Sequence, residues 1–232
     1  MYLFEPTARP ALNIVDDERL FPIRQVYCIG RNYADHAAEM GFEATPEAPF
    51  YFCKPAEAVT HASTIPFPSG TQKLQHEVEL VVALRSGGAG LTQQQAREAI
   101  AGYALGLDLT RRDLQIANRE QGRPWEIGKV FDFAAPCGPL HLIEQTGELN
   151  AGLIELDVNG ETRQSGNLDQ MIHNATALIQ FLSTLQTLHA GDLIFTGTPA
   201  GVSDLQPGDQ LTAHCEGLAD LQVSLAIATA AP

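Results

Sequence analysis

The sequence is short of positive charge. Its 232 residues include 14 lysines and arginines against 28 aspartates and glutamates, a formal net charge of −14. Nucleic acid or an anionic membrane surface would be repelled over most of such a molecule, which argues against both as partners. No apolar run approaches the roughly 18 residues that a membrane helix needs, and "MYLFEPTARP" lacks the basic region and apolar core of a signal peptide. A soluble, cytoplasmic protein is expected. The four cysteines, Cys28, Cys53, Cys137 and Cys215, form no CxxC pair. Neither a zinc cluster nor a disulfide framework is signalled, and buried thiols are expected. Repeats, low-complexity tracts and charged tails are also lacking.

What remains is an ordinary globular composition, 44% hydrophobic and 18% charged, with length enough for a substantial core. Short β-branched or aromatic runs bounded by Gly, Pro or Asp read as strands: "PFYFCK", "EVELVVAL", "GYALGLDL", "LIELDVNGETRQSG" and "DLIFTG". Asn159-Gly160 is a hairpin turn signal inside the fourth. Thr92 and Gln95 make a capping box for one helix, and Asn167 with Gln170 predicts the start of a longer one. Along that second helix Leu168, Met171, Ile172, Ala175, Leu178, Ile179, Leu182 and Leu185 form one apolar stripe. Clustered strands and few helices predict a mostly β or α+β fold. The stretch "TIPFPSGTQK" marks a weak boundary, giving a short N-terminal region over 1–70 and a larger domain over 71–232.

The chemistry centres on carboxylates. In "HEVELVVAL", Glu77 and Glu79 project from one side of a strand, roughly 7 Å apart. Such a pair is ordinarily the wet face of an antiparallel strand. Here Val81 and Ala83 continue the face, so it turns apolar, and Asp108 ends another apolar run in "GYALGLDLTRRD". Three carboxylates at strand ends suit a hard, oxygen-loving cation such as Mg²⁺. A bound cation would also reverse the protein's negative field locally, which an organic acid substrate requires.

In "CIGRNYADHAAEM", His36 and Glu39 share a helix face if the segment is helical; the pair is either a solvated surface contact or a carboxylate raising the basicity of a general base. Lys129 lies in an apolar, strand-like run, "GRPWEIGKVFDF", where it either snorkels or holds an anion. "TGTPAGV" is a Gly/Pro turn with N–H and hydroxyl groups that fit an oxyanion but also suit a plain loop.

Together "CIGRNYADHAAEM", "FYFCKPAEAV", "HEVELVVAL", "GYALGLDLTRRDLQ", "GRPWEIGKVFD", "VNGETRQSGNLDQMI" and "GDLIFTGTPAGV" resemble, in order, the fumarylacetoacetate hydrolase (FAH) family over about residues 22–217. The resemblance implies an FAH-type mixed β-roll (pseudo-barrel), a homodimer, and Mg²⁺ or Mn²⁺ held by Glu77, Glu79 and Asp108. It implies a lid helix carrying His36 and Glu39 and an active-site lysine at Lys129. Arg31, Lys54, Gln115 and Thr198 fall in motifs whose counterparts line the substrate pocket. The fumarylpyruvate-cleaving members are the most similar, which implies hydrolysis of a 2,4-diketo acid in aromatic degradation. Arg111, Arg112 or Arg123 would then bind the far carboxylate, with Arg112 carried as a substrate-binding residue. Acylpyruvases, oxaloacetate decarboxylases and 2-hydroxyhepta-2,4-diene-1,7-dioate isomerase/decarboxylases share the site and stand as alternatives. A non-catalytic keto-acid binder would have no need of a His/Glu base.

Overall fold

Two strands buried along their whole length, Val78–Leu84 and Ile100–Leu107, lie at the middle of the molecule and pair antiparallel from Val78↔Leu107 onward. A computed structural model describes residues 2–39 and 48–226 and places these strands in a six-stranded sheet. Its spatial order is His141–Leu142, Ile100–Leu107, Val78–Leu84, Asp192–Phe195, Gln25–Gly30 and Phe50–Lys54. Val78, Leu80, Val82 and Leu84 point into the larger core, whereas Val81 and Ala83 point into a second core with Leu12, Val26 and Phe195. The near-continuous apolar run follows from that double burial, because neither face of the strand meets water.

The larger core is shared with a five-stranded sheet ordered Glu161–Asn167, Leu153–Val158, Gln210–Cys215, Leu221–Ala226 and Thr64–Pro66. Its hairpin turns at Asn159 (φ 54°) and Gly160 (φ 78°), the two positive φ values of a type I′ turn that the Asn-Gly pair predicts. Strands from before residue 70 enter both sheets: Gln25–Gly30 pairs with Asp192–Phe195, and Thr64–Pro66 with Leu221–Ala226. The mixed α+β architecture with few helices is the expected one. Among the described residues no helix is long and apolar enough to cross a membrane.

The Thr92/Gln95 capping box forms and starts the helix Gln93–Glu98. The second helix begins later than its sequence suggests. Asn167 and Gln170 cap only a single 3-10 turn, Leu168–Gln170, after which Met171 is extended. Tertiary pairing overrides the local signal: Met171 bridges to Tyr33, and the Ile172 N–H donates to the Asn32 carbonyl, 2.8 Å. The helix proper, Ala175–Leu185, has its own cap in Asn174. Ile172 (36% exposed) therefore drops out of the buried stripe, and Leu185 (56%), the last residue of the helix, is exposed at its end.

Candidate metal centre and active site

The antiparallel register puts the end of one central strand opposite the start of the other. Glu77 immediately precedes Val78, Asp108 immediately follows Leu107, and the Asp108 N–H donates to the Glu77 carbonyl at 2.8 Å. Glu79 lies one residue into its strand, on the face of Val81 and Ala83. All three carboxylates are buried, with one oxygen of each within 4.8 Å of the others.

Three buried carboxylates cannot remain charged without compensation. Lys129 supplies part of it, its Nζ donating to Glu77 Oε2 and Asp108 Oδ2, both at 2.7 Å. Arg112 donates through Nη2 to Glu77 Oε1, through Nη1 to Gln115, and through Nε to Gln75 Oε1 at 2.5 Å. Lys54 Nζ lies 2.9 Å from Asp108 Oδ1 and donates to the Leu109 carbonyl at 3.1 Å. Burial pushes the Glu77 carboxyl up, but Lys129 and Arg112 outweigh it and hold the group below the ordinary carboxylate range. Burial lowers Lys129 as well, and Asp108 with Glu77 more than restores it.

Glu79 is different. The Gly197 N–H donates to its Oε2 at 2.7 Å, a neutral contact. Burial, then the charges of Asp108 and Glu77, push its carboxyl well above the ordinary range. Asp108 Oδ1 also accepts no aligned hydrogen bond among the described residues. These features fit a divalent cation: the donors are hard oxygens, and Glu79 has no cation in hydrogen-bonding contact with it among the described residues.

His36 faces the same cavity as Glu77 and Glu79, a small space of about 40 Å³. It projects from the short helix Ala34–Glu39 and is only 7% exposed. Burial lowers its pKa below the usual 6.5, partly opposed by the Glu77 charge and by Glu39, so the imidazole is neutral at pH 7. Its Nδ1 lies 3.4 Å from Glu39 Oε2, a long contact, and both Glu39 oxygens lie 3.2 Å from the Gly201 N–H, which donates to them.

Arg31, Arg112, Gln115, Lys129 and Thr198 also line this cavity. Lys54 does not: it is fully buried on the far side of Asp108, where it compensates charge. Lys129 sits not on a strand but in the helical turn Glu126–Lys129, and neither snorkels nor reaches solvent. Arg111 packs on Phe131, 4.4 Å from the ring centroid, and lines no part of the cavity.

Several residues that hold the site escaped the sequence reading. Asn32 is buried and clasps two segments, Nδ2 donating to the carbonyls of Thr196 (2.7 Å) and His173 (2.8 Å). Gly197, at φ 96°, lies so close to Asn32 that a Cβ there would come 2.7 Å from the Asn32 Cβ. That approach carries the Gly197 N–H to Glu79. Gln164 accepts from the Val78 N–H (3.0 Å) and donates to Thr198 Oγ1 (2.7 Å), while the Thr198 hydroxyl donates to the Val78 carbonyl (2.8 Å). Since Gln164 Oε1 can only accept, His76 presents Nδ1–H to it at 2.8 Å. A polar Gln opposite Leu156 in an alternating strand was the available signal for this network.

Residues 25–226 match the family described as Fumarylacetoacetate (FAA) hydrolase C-terminal. The oxaloacetate tautomerase YcgM of Escherichia coli K12 is 43% identical over 199 residues, 85% of this chain and 90% of that protein. The fumarylpyruvate hydrolase of a Ralstonia species is 41% identical over 180 residues, 77% of this chain and 93% of its own length. Among solved structures, fumarylpyruvate hydrolase from Pseudomonas aeruginosa in complex with Mn²⁺ and pyruvate superposes with a TM-score of 0.95 at 46% identity, covering 98% of this chain and 100% of that one. With its carboxylate cluster, buried cations and strand order on one side and these likenesses on the other, the chain belongs to the fumarylacetoacetate hydrolase family.

Proposed function

We propose that this chain hydrolyses a carbon–carbon bond of a 2,4-diketo acid, with fumarylpyruvate as substrate and fumarate and pyruvate as products. The observation that carries the reading is a neutral His36 facing one cavity with Glu77, Glu79 and the Lys129 ammonium. A base and an anion-holding centre in one enclosed space is what water addition to a keto acid needs. The 46% identity to a fumarylpyruvate hydrolase supports the choice of substrate.

Glu77, Glu79 and Asp108 would hold Mg²⁺ or Mn²⁺, which supplies Lewis-acid polarisation of the 2-keto oxygen. Lys129 spends two donors on Glu77 and Asp108 and keeps a third for the head-group carboxylate. Gln115 and Arg112 line the same space and orient that group. His36 takes a proton from water, whose oxygen adds to the C4 carbonyl. Glu39, anchored by the Gly201 N–H, keeps the imidazole in place. The C3–C4 bond then breaks with its electron pair on the three-carbon fragment, which collects a proton at C3 and leaves as pyruvate.

Loss of the diketo-enol absorbance of fumarylpyruvate, followed with Mg²⁺, Mn²⁺ and EDTA beside acetylpyruvate and oxaloacetate, tests the reading. EDTA-sensitive loss that favours fumarylpyruvate and yields fumarate is expected. The E. coli tautomerase likeness favours oxaloacetate as the second reading. Faster consumption of oxaloacetate would adopt it.

A further inference from the structure

The carboxylate cavity shares Arg31, Phe50, Phe52 and Trp125 with a second, larger cavity of about 570 Å³. The first, at about 40 Å³, has room for a few water-sized groups, each needing roughly 10–15 Å³. A cation and a keto-acid head group fill it. The remainder of a longer acid therefore has to lie across the shared aromatic wall.

That wall is built rather than incidental. Trp125 stands edge-on to Phe50 with ring centroids 5.4 Å apart, and lies tilted over Phe52 at 6.0 Å. Gly30 lets the Phe50 ring rest on the backbone, since a Cβ there would fall 2.1 Å from Phe50 Cζ. Arg31 is held at φ 57°, a conformation that side-chain-bearing residues adopt at a cost, with its guanidinium 5.2 Å over the Phe50 ring. Among the described residues Arg31 and Arg123 line the second cavity against one acid, Glu126, in a molecule of net charge −14.

We infer that the slot between Arg31, Arg123 and the Phe50/Trp125 wall is a distal subsite for a second carboxylate, which makes the substrate class a keto acid with acid groups at both ends and a flat linker between them. The inference rests on the diketo-acid reading above. Planar linkers stack on aromatic faces, and guanidinium groups match a carboxylate with paired donors.

Arg123 is exposed, so Arg123→Gln leaves the fold intact. Its kcat/KM for fumarylpyruvate is expected to fall roughly tenfold further than that for acetylpyruvate, the gap expected when one charged hydrogen bond is lost. Trp125, the chain's single tryptophan, supplies a second reading without turnover. Fumarate should change its emission saturably where acetate does not, with the midpoint raised about tenfold in Arg123→Gln. Equal losses for both diketo acids, or fumarate that leaves the emission unmoved, overturn the inference. A wild type that cleaves neither diketo acid removes the parent reading, and the fumarate titration then decides the subsite alone.

Discussion

Two of the chain's acidic pairs are spaced alike and followed by opposite surroundings, Glu77/Glu79 before "LVVAL" and Glu155/Asp157 in "LIELDV", and the fold treats them oppositely. Glu77 and Glu79 are buried at the end of a sheet covered on both faces. Glu155 and Asp157 are half-buried on the open face of a strand whose other residues alternate inward. One pair requires Lys129, Arg112 and the Gly197 N–H; the other needs little beyond water and the Ser165 hydroxyl, which donates to Glu155 at 2.8 Å. Identical spacing thus produces an active centre or a wet surface, depending on what continues the face. Val81 and Ala83 follow the first pair, whereas the second ends at an Asn-Gly turn. The histidine–carboxylate contacts repeat the contrast: His36 is buried beside Glu39, and His214 lies 2.8 Å from Asp220 with both half exposed. The shorter contact is the one in water, so burial rather than distance separates a site from a surface pair.

The strongest way to break this comparison is to remove the buried cation that bridges two of the carboxylates. Lys129→Met takes away the ammonium that Glu77 and Asp108 share, leaving Arg112 and Lys54 to compensate three buried carboxylates, and should cost about 3–5 kcal/mol, read from urea unfolding. A cost below about 1 kcal/mol would mean that water reaches the cluster and that the two acidic pairs differ less than their burial indicates.

Next comes His36→Ala, for which kcat should fall roughly 10²–10⁴-fold while Mn²⁺ affinity is kept. Equal losses in both would move His36 from base to scaffold. Its pH behaviour carries a definite sign. Burial depresses the folded pKa below 6.5, so the unfolded chain takes a proton at a pH where the folded chain still refuses it. The stability it contributes is complete above 6.5 and declines as the pH falls through that value and toward the depressed folded pKa. kcat/KM should likewise hold level down to about 6.5 and fall off on the acid side only below it.

A smaller effect is expected from Asp108→Asn, which keeps the shape and removes a proposed metal ligand. Mn²⁺ at a hundred times its Kd should stabilise the wild type by about 2.7 kcal/mol, and the variant by much less. Equal thermal shifts in both proteins would exclude Asp108 from the metal shell.

Much of this was legible in the sequence because it depends on short-range pattern. The strands follow β-branched runs, Asn159-Gly160 makes its hairpin turn, and Glu77, Glu79 and Asp108 announce themselves as acids at the ends of apolar runs. The misreadings came from contacts distant in sequence. Met171 leaves the helix pattern to bridge Tyr33, and no local propensity encodes that pairing. The run around Lys129 looks strand-like, yet Gly128 packs so close to Gln115 that a Cβ would come 2.7 Å from the Gln115 Cβ, and the chain coils there instead. Lys54 belongs to a pocket motif by likeness, but its register opposite Val26 turns its amine toward Asp108.

The smallest effect tests the other half of the contrast. Glu155→Gln and Asp157→Asn remove the same charges at the same spacing as the buried pair, but from a face that water already solvates. Without a desolvated partner left behind, neither should shift the urea midpoint by more than about 0.5 kcal/mol, and kcat/KM should stay at the wild-type value. If either variant instead cost as much as Lys129→Met, the open face of the hairpin would have to be covered in the working protein. The alternation of Leu153–Val158 would then describe a second buried layer rather than a wet surface.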